Sequence, residues 1–256
     1  MKYPNLEKLV DIIAVLRSEN GCPWDREQTH KSLRPNMLEE AYEAVDAIDD
    51  GDILNLREEL GDVLLQVVLH SQIAKDNGEF DIEDVARELS DKLIHRHPHV
   101  FGNAHVDSAD DVVINWDKLK KEEKTYRKSI LDGISKSQSA LMSAQKISKK
   151  VVKVGFEWEN VESLKDCIKS EYEEFEEAVK SGDREKMEDE MGDIFFATVN
   201  LARWYKIDAE QALLGANRKF TKRFKKMEEL KTKPFEDYSY EEFNDLWKKA
   251  KIELED

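Results

Sequence analysis

Residues 40–62 read EAYEAVDAIDDGDILNLREELGD, and residues 174–193 read EFEEAVKSGDREKMEDEMGD. Each stretch has a Glu-x-x-Glu pair, a Gly-Asp break and a Glu-x-Gly-Asp pair. The apolar residues recur at helical spacing, and Gly-Asp is typical of one helix ending and the next being capped. Residues three apart share a helix face. Each stretch therefore predicts two antiparallel helices whose acid pairs face each other across a groove.

The repeat extends beyond the acids. From Asp62 to Trp116 is 54 positions (116 − 62), and from Asp193 to Trp247 is also 54 (247 − 193). Each copy adds a basic pair and a Lys four residues after the Trp: Lys92, Arg96 and Lys120 in the first, and Lys219, Arg223 and Lys251 in the second. A single acid pair would mean little, because Asp and Glu supply 56 of 256 residues. Repetition of acids, bases and Trp in one register indicates two copies of one site.

The composition predicts the fold class. The chain has only 10 Gly and 5 Pro, and no segment has the alternating pattern of a strand. We predict an all-α protein made of two tandem helical bundles with repeated acid motifs. The expected limits are an N-terminal domain at 1–127, a linker at 128–139 and a C-terminal domain at 140–256. Leu60 and Phe195 are among the positions predicted to face the core.

Charge and cysteine usage limit the partners and the compartment. A net charge of −16 argues against binding a nucleic-acid backbone. No apolar run is long enough to span a membrane, and the repeat does not align Cys22 with Cys167. Unpaired cysteines are typical of a reducing compartment. We therefore expect a cytoplasmic protein without direct nucleic-acid or membrane binding.

The repeated acids predict a metal site. Clustered carboxylates without Cys or His favour a hard cation, Mg²⁺ or its substitute Mn²⁺. The candidate ligands are Glu174, Glu177, Glu190 and Asp193 in the second copy, which are also the candidate catalytic residues, and Glu40, Glu43, Glu59 and Asp62 in the first. A cation held in this way leaves coordination sites for phosphates. Lys219 and Arg223 are suited to bind those phosphates, and Trp247 either stacks on a base or packs internally. The residues alone predict metal-dependent hydrolysis of a phosphate ester or anhydride and leave the bond open.

Several longer blocks carry a family resemblance. They are CPWDREQTH, LEEAYEAVDAI, EELGDVLLQVVLH and RHPHVFG in the first half, and VGFEW, EDEMGDIFFATVNLAR and ANRKFTKRF in the second. Over nearly its whole length the chain resembles the MazG family of tandem-repeat all-α nucleoside triphosphate pyrophosphohydrolases. The resemblance implies Mg²⁺-dependent hydrolysis of ribo- and deoxyribonucleoside triphosphates to the monophosphate and pyrophosphate. It also implies a homodimer and a housekeeping role against unwanted nucleotides.

The resemblance also implies roles for individual residues. It places metal ligands at Glu174, Glu177, Glu190 and Asp193, and substrate contacts at Lys186, Lys219, Arg223 and Trp247. The repeat adds Lys251 as a further substrate-binding candidate. One departure is Ser170, which stands where the family pattern has a Lys.

The two copies are not equal. The first has Asn55 at the position of Lys186, so we expect the C-terminal domain to be the main catalytic one. A different reading stays open, in which the chain is a regulatory or partner-binding helical module with one or both acidic grooves inactive. Release of pyrophosphate distinguishes the two readings.

Overall fold

A computed structural model describes residues 3–108, 111–112, 115–116, 119–120, 123 and 127–254. These residues form helices and contain no strand, which confirms the all-α prediction. The chain divides into two compact units, Met1–Lys124 and Thr125–Asp256. The finer limits of 1–127, 128–139 and 140–256 stay predictions.

The first unit is organised around one long helix. Its helices are α1 (Pro4–Arg17), α2 (Pro23–Glu27), α3 (Arg34–Asp50), α4 (Ile53–Asp76), α5 (Ile82–Arg96) and α6 (Pro98–Phe101). Helix α4 packs against α1, α3 and α5. Its buried face contributes Val68, Leu69 and Ile73 to a core that Ile13 and Leu33 complete. This packing fixes α4, so α3 is held against a rigid support.

The second unit is built from two helix pairs and a fifth helix that packs against one helix of each pair. Its helices are α7 (Ala140–Val152), α8 (Val161–Ser181), α9 (Arg184–Trp204), α10 (Ala209–Leu230) and α11 (Tyr240–Glu253). Helix α8 pairs with α9, α10 pairs with α11, and α7 packs on both α9 and α10. The buried Ser148 hydroxyl donates to Asn200 Oδ1 at 2.6 Å. A polar contact of this kind fixes the register of α7 against α9.

The predicted core positions Leu60 and Phe195 are wrong for a single chain. Leu60 on α4 is 54% exposed and Phe195 on α9 is 59% exposed. Leu64 and Phe196 beside them are also exposed. The helical period correctly marked an apolar face on each long helix, but these positions on the two faces are exposed among the residues that the structure describes.

The described helices also bear on membrane association. None of them combines the length and the apolar character that crossing a bilayer requires.

Candidate functional site

A glycine hinge brings the acids of the second unit together. Helix α8 ends at Gly182, whose φ of 71° is left-handed and therefore suits a residue without a side chain. Asp183 then caps α9 by accepting a hydrogen bond from the Lys186 N–H at 3.2 Å. The chain reverses within these residues, so α8 and α9 lie antiparallel as predicted.

The first unit uses the same hinge. Gly51 ends α3 with a φ of 68°. Asp52 caps α4, and its Oδ1 accepts from the Leu54 and Asn55 N–H groups at 3.0 Å each. Because both hairpins turn in the same way, heights along them can be compared by counting residues from the glycine.

Counting from the hinge shows which acids of the second unit share a level. Glu174 stands eight residues before Gly182 (182 − 174), and Glu190 stands eight residues after it (190 − 182). Glu171 and Asp193 both stand eleven away (182 − 171; 193 − 182). One carboxylate oxygen of each of Glu171, Glu174 and Glu190 lies within 4.8 Å of the other two. The predicted ligands Glu177 and Asp193 are outside this group, and Glu171, which the motif does not include, is inside it.

In the first unit, the residues at the same distances from the hinge glycine are the four predicted ligands. Glu43 and Glu59 stand eight residues from Gly51, and Glu40 and Asp62 stand eleven from it (51 − 43, 59 − 51; 51 − 40, 62 − 51). Oxygens of Glu40, Glu43 and Glu59 lie within 4.8 Å of one another. The first acid of the Glu-x-x-Glu motif, Glu40, stands eleven residues before the hinge glycine in the first unit. In the second unit the first acid, Glu174, stands only eight residues before it. That difference shifts the motif by nearly one turn between the hairpins.

Loss of hydration, and then mutual repulsion, raise the pKa of carboxyls in both grooves. Loss of hydration raises the pKa of Glu190, and the charges of Glu174, Asp189, Glu171 and Asp193 raise it further. Loss of hydration and the charges of Asp62 and Glu43 raise the pKa of Glu40, whereas a hydrogen bond from Gln66 lowers it. The pKa of Glu59 is raised too, by loss of hydration and then by Glu43 and Asp62. Asp62 and Asp193 therefore act electrostatically on the acid groups beside them.

The donor set fits a hard divalent cation. Within the described residues, none of the four carboxylates at these two levels in either unit has a basic side chain within 4.0 Å of it. Closely spaced carboxylates that no protein cation neutralises are the usual surroundings of Mg²⁺. The residues present match the predicted chemistry.

Cys167 lies beside the acids of the second unit. Its Sγ donates to Glu171 Oε1 at 3.4 Å. Burial, and next the hydrogen bond to Glu171, raise the pKa of the thiol to about 11. The thiolate is therefore scarce at neutral pH, which argues against a nucleophilic role.

Except for Lys186, the predicted substrate-binding residues of the second unit lie on the other helix pair, α10 and α11. The Arg223 guanidinium carbon on α10 is 5.7 Å from the ring centroid of Trp247 on α11. Phe220 packs on the same ring at 5.2 Å. Lys219 is exposed one turn before Arg223, and Lys251 follows Trp247 by one turn. The structure thus brings Arg223 and Trp247 together.

The corresponding residues of the first unit are also in contact, with one difference. The Arg96 guanidinium carbon is 5.3 Å from the Trp116 ring centroid. Arg96 is buried, and its Nε donates to Glu123 Oε1 at 3.0 Å. The position matching Glu123 in the second copy is Leu254 (123 + 131), which carries no charge. The Arg of the first unit is therefore held by the Glu123 carboxylate, and the residue at the matching position of the second unit, Leu254, is apolar.

The two helix pairs of the second unit are largely separate. In the part of the chain that the structure describes, α8 contacts α9 and no other helix, and α11 contacts α10 and no other. The acids lie on α8 and α9, as does Lys186, whereas Lys219, Arg223, Trp247 and Lys251 lie on α10 and α11. The predicted site residues therefore form two clusters within one chain.

Comparison with known proteins identifies relatives of the whole chain. The family model described as the MazG nucleotide pyrophosphohydrolase domain matches residues 28–101 and 159–227. The chain is 46% identical to "Nucleoside triphosphate pyrophosphohydrolase/pyrophosphatase MazG" of Thermotoga maritima, over 96% of this chain and 95% of that protein. It is 44% identical to "Nucleoside triphosphate pyrophosphohydrolase" of Escherichia coli K12, over 88% of each. A crystal structure of a MazG-related protein from Thermotoga maritima aligns with a TM-score of 0.40 and 30% identity, covering 45% of this chain and 98% of that one.

Proposed function

Because the chain belongs to the MazG nucleotide pyrophosphohydrolase family, we infer that the acid groove of α8 and α9 is where its reaction takes place. The protein is a nucleoside triphosphate pyrophosphohydrolase, and we propose that it converts ribo- and deoxyribonucleoside triphosphates to the monophosphate and pyrophosphate. One observation carries the assignment to this groove: carboxylate oxygens of Glu174 and Glu190 lie within 4.8 Å of each other across the two helices. The charge of Asp193 also acts on Glu190.

Mg²⁺ is the proposed cofactor, with Mn²⁺ as a substitute. The proposed ligands are the motif residues Glu174, Glu177, Glu190 and Asp193. When bound, the cation supplies a polarised phosphoryl oxygen and a bound water of lowered pKa. In the first unit, Glu40, Glu43, Glu59 and Asp62 are likewise proposed to bind a cation.

The basic residues are proposed to hold the phosphates. Arg223 offers a fork of donors that fits phosphate oxygens, and Lys219 adds a point charge. Lys186 stands one turn before Glu190, so it is placed for a phosphate at the hinge side of the groove. Trp247 is proposed to stack on the base, with Lys251 beside it. Few of these groups read the base, so we expect several nucleotides to be accepted.

A homodimer is the proposed assembly. Leu60 and Leu64 on α4, and Phe195 and Phe196 on α9, leave apolar faces exposed in the single chain. Burial of such area contributes about 25 cal/mol per Å², and a two-fold pair is the commonest way to cover it. Light scattering at micromolar concentration tests this, since an active monomer would contradict it.

A regulatory or partner-binding role is the second candidate, and an observation favours it for the first unit only. Arg96 is engaged by Glu123, and Asn55 replaces the basic residue near the phosphates. We propose that this groove binds a cation and contributes little turnover. The cytoplasmic location is likewise a proposal, supported by the cysteine usage.

A nucleotide panel with Mg²⁺ tests the reaction. Each nucleotide is incubated with the full chain, and pyrophosphate is resolved from orthophosphate by ion chromatography. We expect monophosphate and pyrophosphate in equal amounts. Diphosphate and orthophosphate as the main products would overturn the proposal, and the Glu190→Ala variant controls for contaminating phosphatases.

A further inference from the structure

Two histidines of the first unit meet at a place that lies outside the acid groove. His30 belongs to the segment between α2 and α3, and His70 lies on α4. Their Nδ1 atoms are 2.7 Å apart. The two rings are parallel to within 1°, and their centroids are 5.1 Å apart. Because the nitrogens are much closer than the ring centres, the rings meet edge to edge and share a hydrogen bond.

We propose that the contact between His30 and His70 is a pH-sensitive latch, which fastens the segment between α2 and α3 to α4 and opens when both rings are protonated. This segment leads directly into α3, which forms one wall of the first groove. The latch therefore makes the order of that wall depend on acidity. The inference does not rest on the function proposed for either groove.

The number of protons on the pair decides whether the contact holds. A hydrogen bond between two Nδ1 atoms needs one N–H donor and one lone pair. A neutral pair meets this condition, and so does a pair in which His30 alone is protonated, because its Nδ1–H then donates to His70. In that state Nε2 of His30 lies 4.0 Å from Glu79 Oε2, which carries the opposite charge. When His70 is protonated as well, two N–H groups face each other and the hydrogen bond is lost.

The surroundings of His70 oppose this second proton. Its Nε2 is buried and has no hydrogen-bond partner among the described residues, and an unpartnered buried group costs more when it is charged. Burial, and then the charge of His30, lower the pKa of His70. The folded chain therefore binds this proton less tightly than the unfolded chain does. The stabilisation by the latch is complete above the ordinary histidine pKa of 6.5, and it is lost as the pH falls through the lowered value.

Neighbouring charges leave the histidine pair as the titrating group at this end of α4. Arg17 lies 2.7 Å from Asp76, and Lys75 lies 3.6 Å from Asp81, so these charges offset each other. Glu79 is the acid in contact with the pair. The charged groups on the surrounding elements are Arg17 on α1, Lys75 and Asp76 on α4, Glu79 in the turn after it, Asp81 at the start of α5, and the exposed Lys31 and Arg34 around the start of α3.

A shared metal ion explains the pair less well than a shared proton does. Lone pairs that bind one ion converge on it, whereas these edge-to-edge rings point their Nδ1 atoms at each other. In the part of the chain that the structure describes, no His, Cys, Asp or Glu atom joins the two nitrogens to form a group of three within 4.8 Å.

The latched segment is held on both sides by groups that stay unchanged near neutral pH. Arg17 Nη1 donates to the Gln28 carbonyl at 3.2 Å, and Leu33 is buried in the core. Between them, the Thr29 N–H donates to Ser32 Oγ at 2.9 Å, and the Ser32 N–H donates to Thr29 Oγ1 at 3.1 Å. Opening of the latch should therefore be local, and the amides of residues 28–33 report it.

Hydrogen exchange read by mass spectrometry tests the latch without measuring turnover. The full chain is exchanged in EDTA at about pH 7.5 and about pH 5.5, on either side of the histidine range, and each rate is divided by the intrinsic rate at that pH. Peptides covering residues 28–33 report the latch. Peptides from α7 are the internal reference, because the second unit has no histidine.

Three variants separate the latch from other titrating groups. His70→Gln keeps a hydrogen-bonding group that does not titrate, because an amide can donate to a neutral Nδ1 and accept from a protonated one. His70→Ala removes the contact. The matched control is His105→Gln, which replaces a histidine whose side chain is 90% exposed. Circular dichroism confirms that each variant is folded.

We expect the protection of residues 28–33 in the wild type to fall about tenfold between the two pH values, as one pKa unit of differential protonation gives, while α7 is unchanged. His105→Gln should behave as the wild type does. His70→Gln should lose most of the pH dependence, and His70→Ala should be weakly protected at both pH values. Protection that is independent of pH in the wild type would overturn the proposal. A pH dependence that survives in His70→Gln would overturn it too, because other groups would then cause the change.

Discussion

The acid hairpin of the first unit and that of the second differ less in their carboxylates than in what surrounds them. Both place acids eight and eleven residues from the hinge glycine on each helix. Asn55 of the first unit occupies the position that Lys186 occupies in the second. Glu123, which holds Arg96 in the first unit, is replaced by Leu254 in the second. Gln66 donates to Glu40, whereas its counterpart Ala197 (66 + 131) cannot donate. The comparison supports the proposal that the first groove binds a cation without the phosphate contacts proposed for the second.

The matched acids are expected to give the largest difference between the units. Glu190→Ala removes a proposed ligand where the phosphate contacts are intact, so turnover should fall by about a hundredfold or more. Glu59→Ala is the same change at the matching height and should leave most of the activity. Pyrophosphate release under Mg²⁺ measures both variants. A reversed order, with Glu59→Ala the inactive one, would assign catalysis to the first unit.

Substitution of Arg223 is expected to lower activity, whereas substitution of Arg96 is expected to lower stability. Arg223→Ala removes a forked phosphate donor and should lower turnover by roughly 10²-fold, and Arg223→Lys should lose part of it because the charge survives without the fork. Arg96→Ala should instead lower the free energy of unfolding by on the order of 1–3 kcal/mol, since it removes the hydrogen bonds that the buried Arg96 guanidinium donates to Glu123. Steady-state kinetics and urea unfolding measure the two effects. Unchanged kinetics in Arg223→Ala would show that the phosphates are held elsewhere.

Local sequence rules predicted most of the fold. The Gly-Asp hinges, the capping aspartates and the helical period are local properties, and both acid hairpins turn at the predicted Gly-Asp pairs. The motif does not identify Glu171, because an alignment of the two copies on their acids and Trp residues hides a three-residue difference in the distance from the first acid to the hinge glycine. Counting from Gly182 would have found it. The prediction that Leu60 and Phe195 face the core is wrong for a different reason, because periodicity marks an apolar face without showing what covers it.

Stability without metal should depend on pH in a way that the acid groups define. The pKa values of Glu40, Glu59 and Glu190 are raised in the folded protein. The folded state therefore binds their protons more tightly than the unfolded state does. The stabilisation is complete below the ordinary glutamate pKa of about 4.5, and it is lost as the pH rises through the raised values.

The measurement is the melting temperature against pH, in EDTA and in Mg²⁺. In EDTA the melting temperature is expected to fall across that window through these groups, and Mg²⁺ should remove the fall. Glu40→Gln with Glu59→Gln removes the contribution of the first unit, and Glu190→Gln removes that of the second, so the two variants show how the effect divides between the grooves. A Mg²⁺-independent profile would contradict cation binding in both.

The smallest expected effect is a gain in the first unit. In a chain whose second groove is disabled by Glu190→Ala, we introduce Asn55→Lys and Glu123→Leu, the residues of the second copy. The first change restores a basic group near the proposed phosphates, and the second releases Arg96 from its internal carboxylate. Releasing a buried Arg costs stability, so folding is checked by circular dichroism. We expect pyrophosphate release several-fold above the Glu190→Ala background, with a further Glu59→Ala change returning it to that background. No gain in a folded protein would mean that the first groove is inactive for a reason other than its missing phosphate contacts.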